Sequence, residues 1–199
     1  MQKVNYQIQL DQITANLTGK PRLLLHSCCG PCSSYVIEYL SEFFDITVYF
    51  YNPNIHPQEE YLHRFQTQRQ LVEKLGGAVL IEGEYEPERY FEAVKGYEDC
   101  AEGGKRCNLC IGERLAQTAQ KAKEGGYDWF ATTLTVSPHK NAQSINEMVF
   151  ALSQKYGIKW LPSDFKKREG YKRSIELSTQ YELYRQDYCG CTFSLKNKN

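Results

Sequence analysis

The sequence lacks the features that would send it into a membrane or out of the cell. No stretch approaches the ~20 consecutive apolar residues that a bilayer-spanning helix needs. The opening segment MQKVNYQIQLDQITANLTGK is polar, with acids and amides where a secretory signal carries an apolar core. No membrane partner and a cytoplasmic location are therefore expected. Net charge is missing too, since 24 Lys and Arg offset 24 Asp and Glu. A nucleic-acid partner is not excluded by that balance, but it must approach one side of the molecule. Repeats, low-complexity tracts and linkers are also absent. The 199 residues read as one domain, 1–199, large enough to bury a core without staples.

The charges that are present are unevenly placed. Between Glu82 and Glu102 eight acids stand against Arg89 and Lys95, whereas Lys155 to Asn199 hold ten Lys or Arg against five acids. Cysteine is plentiful, at eight residues. In a reducing compartment such thiols serve more often as ligands or catalysts than as structural disulfides.

Strand and helix patterns alternate along the chain. Pro21 to Ser27 is a compact apolar run suited to a buried strand. A helix follows Pro31, with Val36, Tyr39, Leu40 and Phe43 at helical spacing. Ile46 to Tyr51 reads as a second strand, ending at the proline-broken NPNIHPQEE. A helix from about Glu59 sets Leu62, Phe65, Val72 and Leu75 on one face, and GGAVLIEG reads as a third strand. ERYFEAVKGYE is a short helix, and CAEGGKRCNLC a loop feeding a helix from Ile111 to about Glu124. YDWFATTLT is a fourth strand and SPHKN the turn after it. Ser144 and Glu147 have capping-box spacing for a helix reaching about Tyr156. The expected fold is α/β, a Rossmann-like parallel sheet with helices on both faces, plus an irregular or helical C-terminal segment after Pro162.

In such sheets, sites form beyond the carboxyl ends of the strands. Cys28, Cys29 and Cys32 stand there after the first strand, and His139 and Lys140 after the fourth. Thiols at a helix N-terminus are favoured as thiolates, the form that metal binding and redox chemistry both require. Cys107 and Cys110 form a CxxC preceded by Lys105 and Arg106, while Cys189 and Cys191 form a CxC around a glycine. Cys100 stands alone and reads as an inert buried thiol. A thioredoxin-type reading uses only Cys29 and Cys32. Two CxxC pairs suit a tetrahedral zinc, yet the vicinal Cys28 and Cys29 reach different corners of a cubane more easily than one small ion. Cys28, Cys29, Cys107 and Cys110 are thus the expected ligands of a 4Fe–4S cluster.

The ordered set LLLHSCCGPC, YNPNIHPQEEY, GGKRCNLC, FATTLTVSPHKN and YCGC, from Leu23 to Cys191, resembles the QueH family of epoxyqueuosine reductases. The resemblance implies an adenine-nucleotide α-hydrolase-like fold. It also implies the last step of queuosine biosynthesis, reduction of the epoxide of epoxyqueuosine at the wobble position of a tRNA anticodon. It implies the same four cluster ligands and chemistry at Cys189 and Cys191, either as a redox-active dithiol or as ligands of a second metal. A mononuclear iron held by thiolates and a carboxylate accompanies the cluster in that resemblance, and Cys32 is expected to take the carboxylate's place.

Opening an epoxide to an alkene consumes two electrons and two protons and needs a general acid at the departing oxygen. His139 is the candidate by position, with Tyr188 and His26 behind it. Electrons must come from a donor outside the chain. DFKKREGYKRS, with Phe165 and Tyr171 among five basic residues, suits phosphate contact and base stacking. Two rivals remain open. An ATP-dependent tRNA-thiolating enzyme would want a glycine-rich phosphate loop, where this chain has HSCCGPCSS. A zinc-stapled RNA-binding module would hold zinc and no sulfide.

Overall fold

A computed structural model describes residues 4–196. Its centre is a five-stranded sheet, all parallel, built from β1 (Arg22–His26), β2 (Asp45–Phe50), β3 (Ala78–Glu82), β4 (Trp129–Thr132) and β5 (Lys159–Trp160) in the order β3-β2-β1-β4-β5. The chain winds outward from β1 to one edge, then returns to β4 on its other side. Strand β1 therefore marks the point where the strand order reverses, and a crevice opens beyond its carboxyl end.

Successive side chains on a strand point to opposite faces, and β1 shows why both faces are covered. Leu23 and Leu25 pack with Val36 and Leu40 of α2 (Gly30–Leu40), Leu71 of α3 (Gln58–Leu75) and Leu10 of α1 (Tyr6–Ala15). Leu24 turns to the other face, against Leu115 and Ala119 of α5 (Lys105–Glu124) and Val149 of α6 (Ala142–Tyr156). A strand with no polar side is what a two-faced parallel sheet requires. The α/β fold with helices on both faces is as expected.

Several local expectations are corrected. CNLC does not lie in a loop: α5 begins at Lys105, so Cys107 and Cys110 sit one turn apart on one helix face. The fourth strand stops at Thr132, whose Oγ1 accepts the Leu134 N–H (3.2 Å) and turns the chain into a 3-10 segment, Thr133–Val136. The cap of α6 is Asn141, whose Oδ1 accepts the Ser144 N–H (3.2 Å), not Ser144 itself. On α3, Leu62 is 46% exposed. Val72 is buried and Phe65 and Leu75 pack against the core as expected, but the buried face also takes in Tyr61, Arg64, Thr67, Gln68 and Leu71, which turns polar groups toward the crevice. The C-terminal segment holds α7 (Gly170–Gln180), packed on α2, and the short α8 (Thr192–Lys196). The short α4 (Pro87–Val94) packs on α5.

Candidate active site

The turn after β1 is fixed from below. Ser27 and Ser33 both donate to Gln68 Oε1 (2.6 and 2.8 Å), and Ser33 Oγ also contacts the Cys29 carbonyl at 2.8 Å. Asn52, fully buried at the end of β2, donates to the Ser27 carbonyl (2.8 Å). The start of α2 lies tight against α3 at Gly30, where a Cβ would lie 2.9 Å from Thr67 Cγ2 and 3.2 Å from the Thr67 carbonyl oxygen. The turn delivers three sulfurs to one place. The Sγ atoms of Cys28, Cys29 and Cys32 lie within 4.8 Å of one another. Cys28 and Cys29 share a hydrogen bond at 3.8 Å, and Gln186 Nε2 donates to Cys29 Sγ at 2.9 Å. Sulfur hydrogen bonds from Cys29 and Cys32 hold the Cys28 thiol well below its ordinary range despite burial. The same bonds push Cys29 up to about 12 and Cys32 up as well.

A second set of thiols lines an adjoining chamber. Cys107, Cys110, Cys189 and Cys191 surround it together with Asn54, Tyr90, Arg106, Arg114 and Lys140. Cys107 Sγ accepts the Gly103 N–H (3.2 Å) at the start of α5, and Cys191 Sγ accepts the Ser194 N–H (3.4 Å). A hydrogen bond from Cys189 and further ones from Ser194 and Tyr90 bring Cys191 down to about 4. That bond and burial raise Cys189.

The CxC turn is held by its backbone. Arg64, 2% exposed, donates from Nη2 to the Tyr188 carbonyl (3.3 Å) and from Nη1 to that of Cys189 (3.2 Å). The His56 N–H then takes the Gly190 carbonyl (2.8 Å). Glu60 orients Arg64 (2.6 Å) and in turn accepts from Tyr184. With three successive carbonyls engaged, Gly190 adopts φ +108°, and a Cβ there would meet Arg64 Nη1 at 2.9 Å.

A cleft of ≈ 660 Å³ opens over both thiol sets, sharing Arg114, Lys140 and Cys189 with the inner chamber. Its wall includes Cys28, Cys32, His139, Tyr171, Arg185 and Tyr188. Soft thiolate donors at this density suit iron–sulfur chemistry or zinc, not a hard cation.

A family model described as epoxyqueuosine reductase QueH matches residues 23–197. The chain belongs to that family. It is 47% identical over 203 residues to an epoxyqueuosine reductase QueH of Streptococcus pyogenes serotype M1, covering 98% of this chain and 80% of that protein. A Staphylococcus epidermidis relative of the same description is 47% identical, covering 97% and 85%. One from Thermotoga maritima is 39% identical over 179 residues, covering 87% and 90%.

Within this QueH chain the expected site residues fall as follows. Cys28, Cys29 and Cys32 come together, and Cys107, Cys110, Cys189 and Cys191 share the neighbouring chamber. His139 is exposed on the cleft wall, while Lys140 reaches inward, Nζ 3.6 Å from Cys189 Sγ. His26 is fully buried, with Nδ1 on Thr132 Oγ1 (2.9 Å) and Nε2 on the Tyr51 carbonyl (3.2 Å). Burial brings it down to about 3, which disfavours the imidazolium form that a general acid uses. Tyr188 donates its hydroxyl to the His56 carbonyl (2.8 Å).

The basic run differs from its sequence reading. Phe165 is wholly buried against Tyr35 and Tyr39, which removes it as a stacking surface. Lys166, Arg168, Lys172 and Arg173 pair with Asp164, Asp11, Glu169 and Glu38 respectively. Glu102, from the acidic stretch, lines the cleft. Sequence reasoning missed Arg64 and Arg114. Arg114 was within reach, since 107, 110 and 114 share a helix face once α5 is begun at Lys105.

Proposed function

We propose that this chain is an epoxyqueuosine reductase, an oxidoreductase that converts epoxyqueuosine to queuosine at the wobble position of a tRNA anticodon. The reaction adds two electrons and two protons, breaks both C–O bonds of the epoxide, forms the alkene and releases water. The observation that carries this reading is the meeting of two thiol sets under one open cleft in a chain of this family.

The donor set fits an iron–sulfur group. Six thiols line the cleft and chamber, with Cys29 beside Cys28 and Cys32, and five cations and buried polar atoms left unpaired, Asn54 Oδ1 with Nε and Nη2 of Arg106, accompany them. Cys28, Cys29, Cys107 and Cys110 would hold a 4Fe–4S cluster, and Cys32, Cys189 and Cys191 a second iron, unless the last two cycle as a dithiol. Bound there, a cluster supplies electrons singly and an open-coordinate iron supplies Lewis acidity toward the epoxide oxygen.

The chain's own residues do the rest. The cleft admits an unstacked anticodon base, and Tyr171 at its wall offers a stacking face. Arg185 on the same wall faces the approaching phosphates. His139, on the exposed wall, is the proton donor to the departing oxygen. Arg64 keeps Cys189 and Cys191 turned inward. Electrons enter from an external donor.

A second reading draws on one observation: three sulfurs within 4.8 Å suit a single zinc as well. Iron, sulfide and zinc content of anaerobically purified protein separates the two. About four sulfides with four to five irons per chain support the reductase. One zinc without sulfide replaces it with a zinc-stapled RNA-binding module.

A further inference from the structure

Three cations line the thiol chamber, and among the described residues none pairs with a carboxylate. Arg106 is 2% exposed and spends Nη1 on the carbonyls of Glu98 (2.6 Å) and Cys100, leaving Nε and Nη2 unpaired. Lys140 Nζ lies 3.6 Å from Cys189 Sγ. Arg114, 3% exposed, has one side-chain partner, Asn52 Oδ1 at 3.2 Å, and a long contact to the Cys110 carbonyl one turn back. Among the described residues no Asp or Glu lines the chamber, and Glu102 and Asp187 line the cleft beyond it. A guanidinium taken out of water without a counter-ion is costly, so a buried one implies negative charge nearby. Thiols of both sets surround it instead: Arg114 lines the chamber with Cys107, Cys110 and Cys191, and the cleft with Cys28, Cys32 and Cys189. Arg114 stands between those sets, on the wall of the chamber and of the cleft alike.

We propose that Arg114 is the buried counter-charge of the thiolate-bound redox group, a positioning residue that joins the two thiol sets electrostatically and raises the potential at which that group takes an electron. The inference rests on the iron–sulfur reading above. Each added electron makes a thiolate-bound cluster more anionic, and in a low-dielectric site a fixed cation favours that step. Lys140 and Arg106 add to the same field. The hydrogen bond to Asn52, which itself holds the Ser27 carbonyl, fixes where the charge sits.

The test uses the full chain, reconstituted anaerobically with iron and sulfide, with the midpoint potential read by a redox titration followed by electron paramagnetic resonance. Arg114→Gln keeps a donor for Asn52 but loses the charge. It is expected to titrate at a more negative potential and to retain less sulfide, while its metal-free form melts no lower than the wild type. Arg114→Lys, which keeps the charge, should titrate close to the wild type. Lys140→Gln, on a loop, should shift the potential in the same direction by less, and it answers the question should Arg114→Gln not fold. An unchanged potential in both neutral variants with full sulfide content overturns the counter-charge assignment and leaves the reductase reading standing. Wild-type protein that takes up no sulfide overturns both.

Discussion

Single residues carry much of the account, because the CxC turn depends on one arginine and one glycine. Gly190→Ala places a β-carbon at φ +108° and 2.9 Å from Arg64. The strain is about 1–3 kcal/mol, and the thermal midpoint should fall by several degrees in a scan of the metal-free protein. Arg64→Lys keeps a charge but cannot span two carbonyls as a planar fork does. Loosened reacting groups lose on the order of 10- to 100-fold in rate, so kcat should drop by that much in a tRNA turnover assay while KM holds. His26 gives a pH signature. Folded it is lowered to about 3 and unfolded it returns to its ordinary 6.5. The unfolded chain therefore binds one more proton between those values. His26's contribution to stability is complete above pH 6.5 and lost as pH falls toward 3, at about 1.4 kcal/mol per pH unit. In urea titrations at pH 7 and 5, His26→Asn should lose less stability than the wild type over that interval.

At the scale of elements, the sequence was legible where hydrophobic period and strand burial agree. The alternation of Leu23, Leu24 and Leu25 between two cores is what a two-faced parallel strand must do, and β1, β2 and β3 stand where their apolar runs put them. Element ends were less legible. Lys105 and Arg106 carry no helix-start signal, so CNLC looked like a loop. Asn141 was overlooked because Ser144 and Glu147 mimic a capping box, although an asparagine side chain reaches the third helical N–H equally well. Asn141→Ala should cost about 1 kcal/mol in urea unfolding and Ser144→Ala close to none. On α3 the apolar spacing places Phe65, Val72 and Leu75 correctly, but Arg64 and Gln68 look like surface residues until the groups they bind on other elements are known. Thiol spacing showed which cysteines matter. It could not show that Cys32 joins Cys28 and Cys29 closely while Cys107 and Cys110 face Cys189 and Cys191, since loop closure between distant segments decides that.

For the whole molecule, zero net charge hides a division of labour. Four members of the basic run are held in ion pairs, Arg168 and Arg173 with Asp11 of α1 and Glu38 of α2, Lys166 and Lys172 with Asp164 and Glu169 of the run itself. The cations that shape the site, Arg106, Arg114 and Lys140, line the thiol chamber instead. On the proposed function, the tRNA-facing surface is the cleft wall with Tyr171 and Arg185, more than the run from Lys166 to Arg173. Arg185→Glu should raise KM for tRNA and flatten its salt dependence while sulfide content stays unchanged. Among the described residues no helix is long and apolar enough to cross a membrane.

The most direct measurement is turnover. The anaerobically reconstituted chain, given a chemical reductant and tRNA carrying epoxyqueuosine, is followed by mass spectrometry of the released nucleosides. The account predicts that epoxyqueuosine is replaced by queuosine, lighter by one oxygen, only when the protein holds iron and sulfide. Epoxyqueuosine returned intact by protein with a full iron–sulfur complement would contradict it.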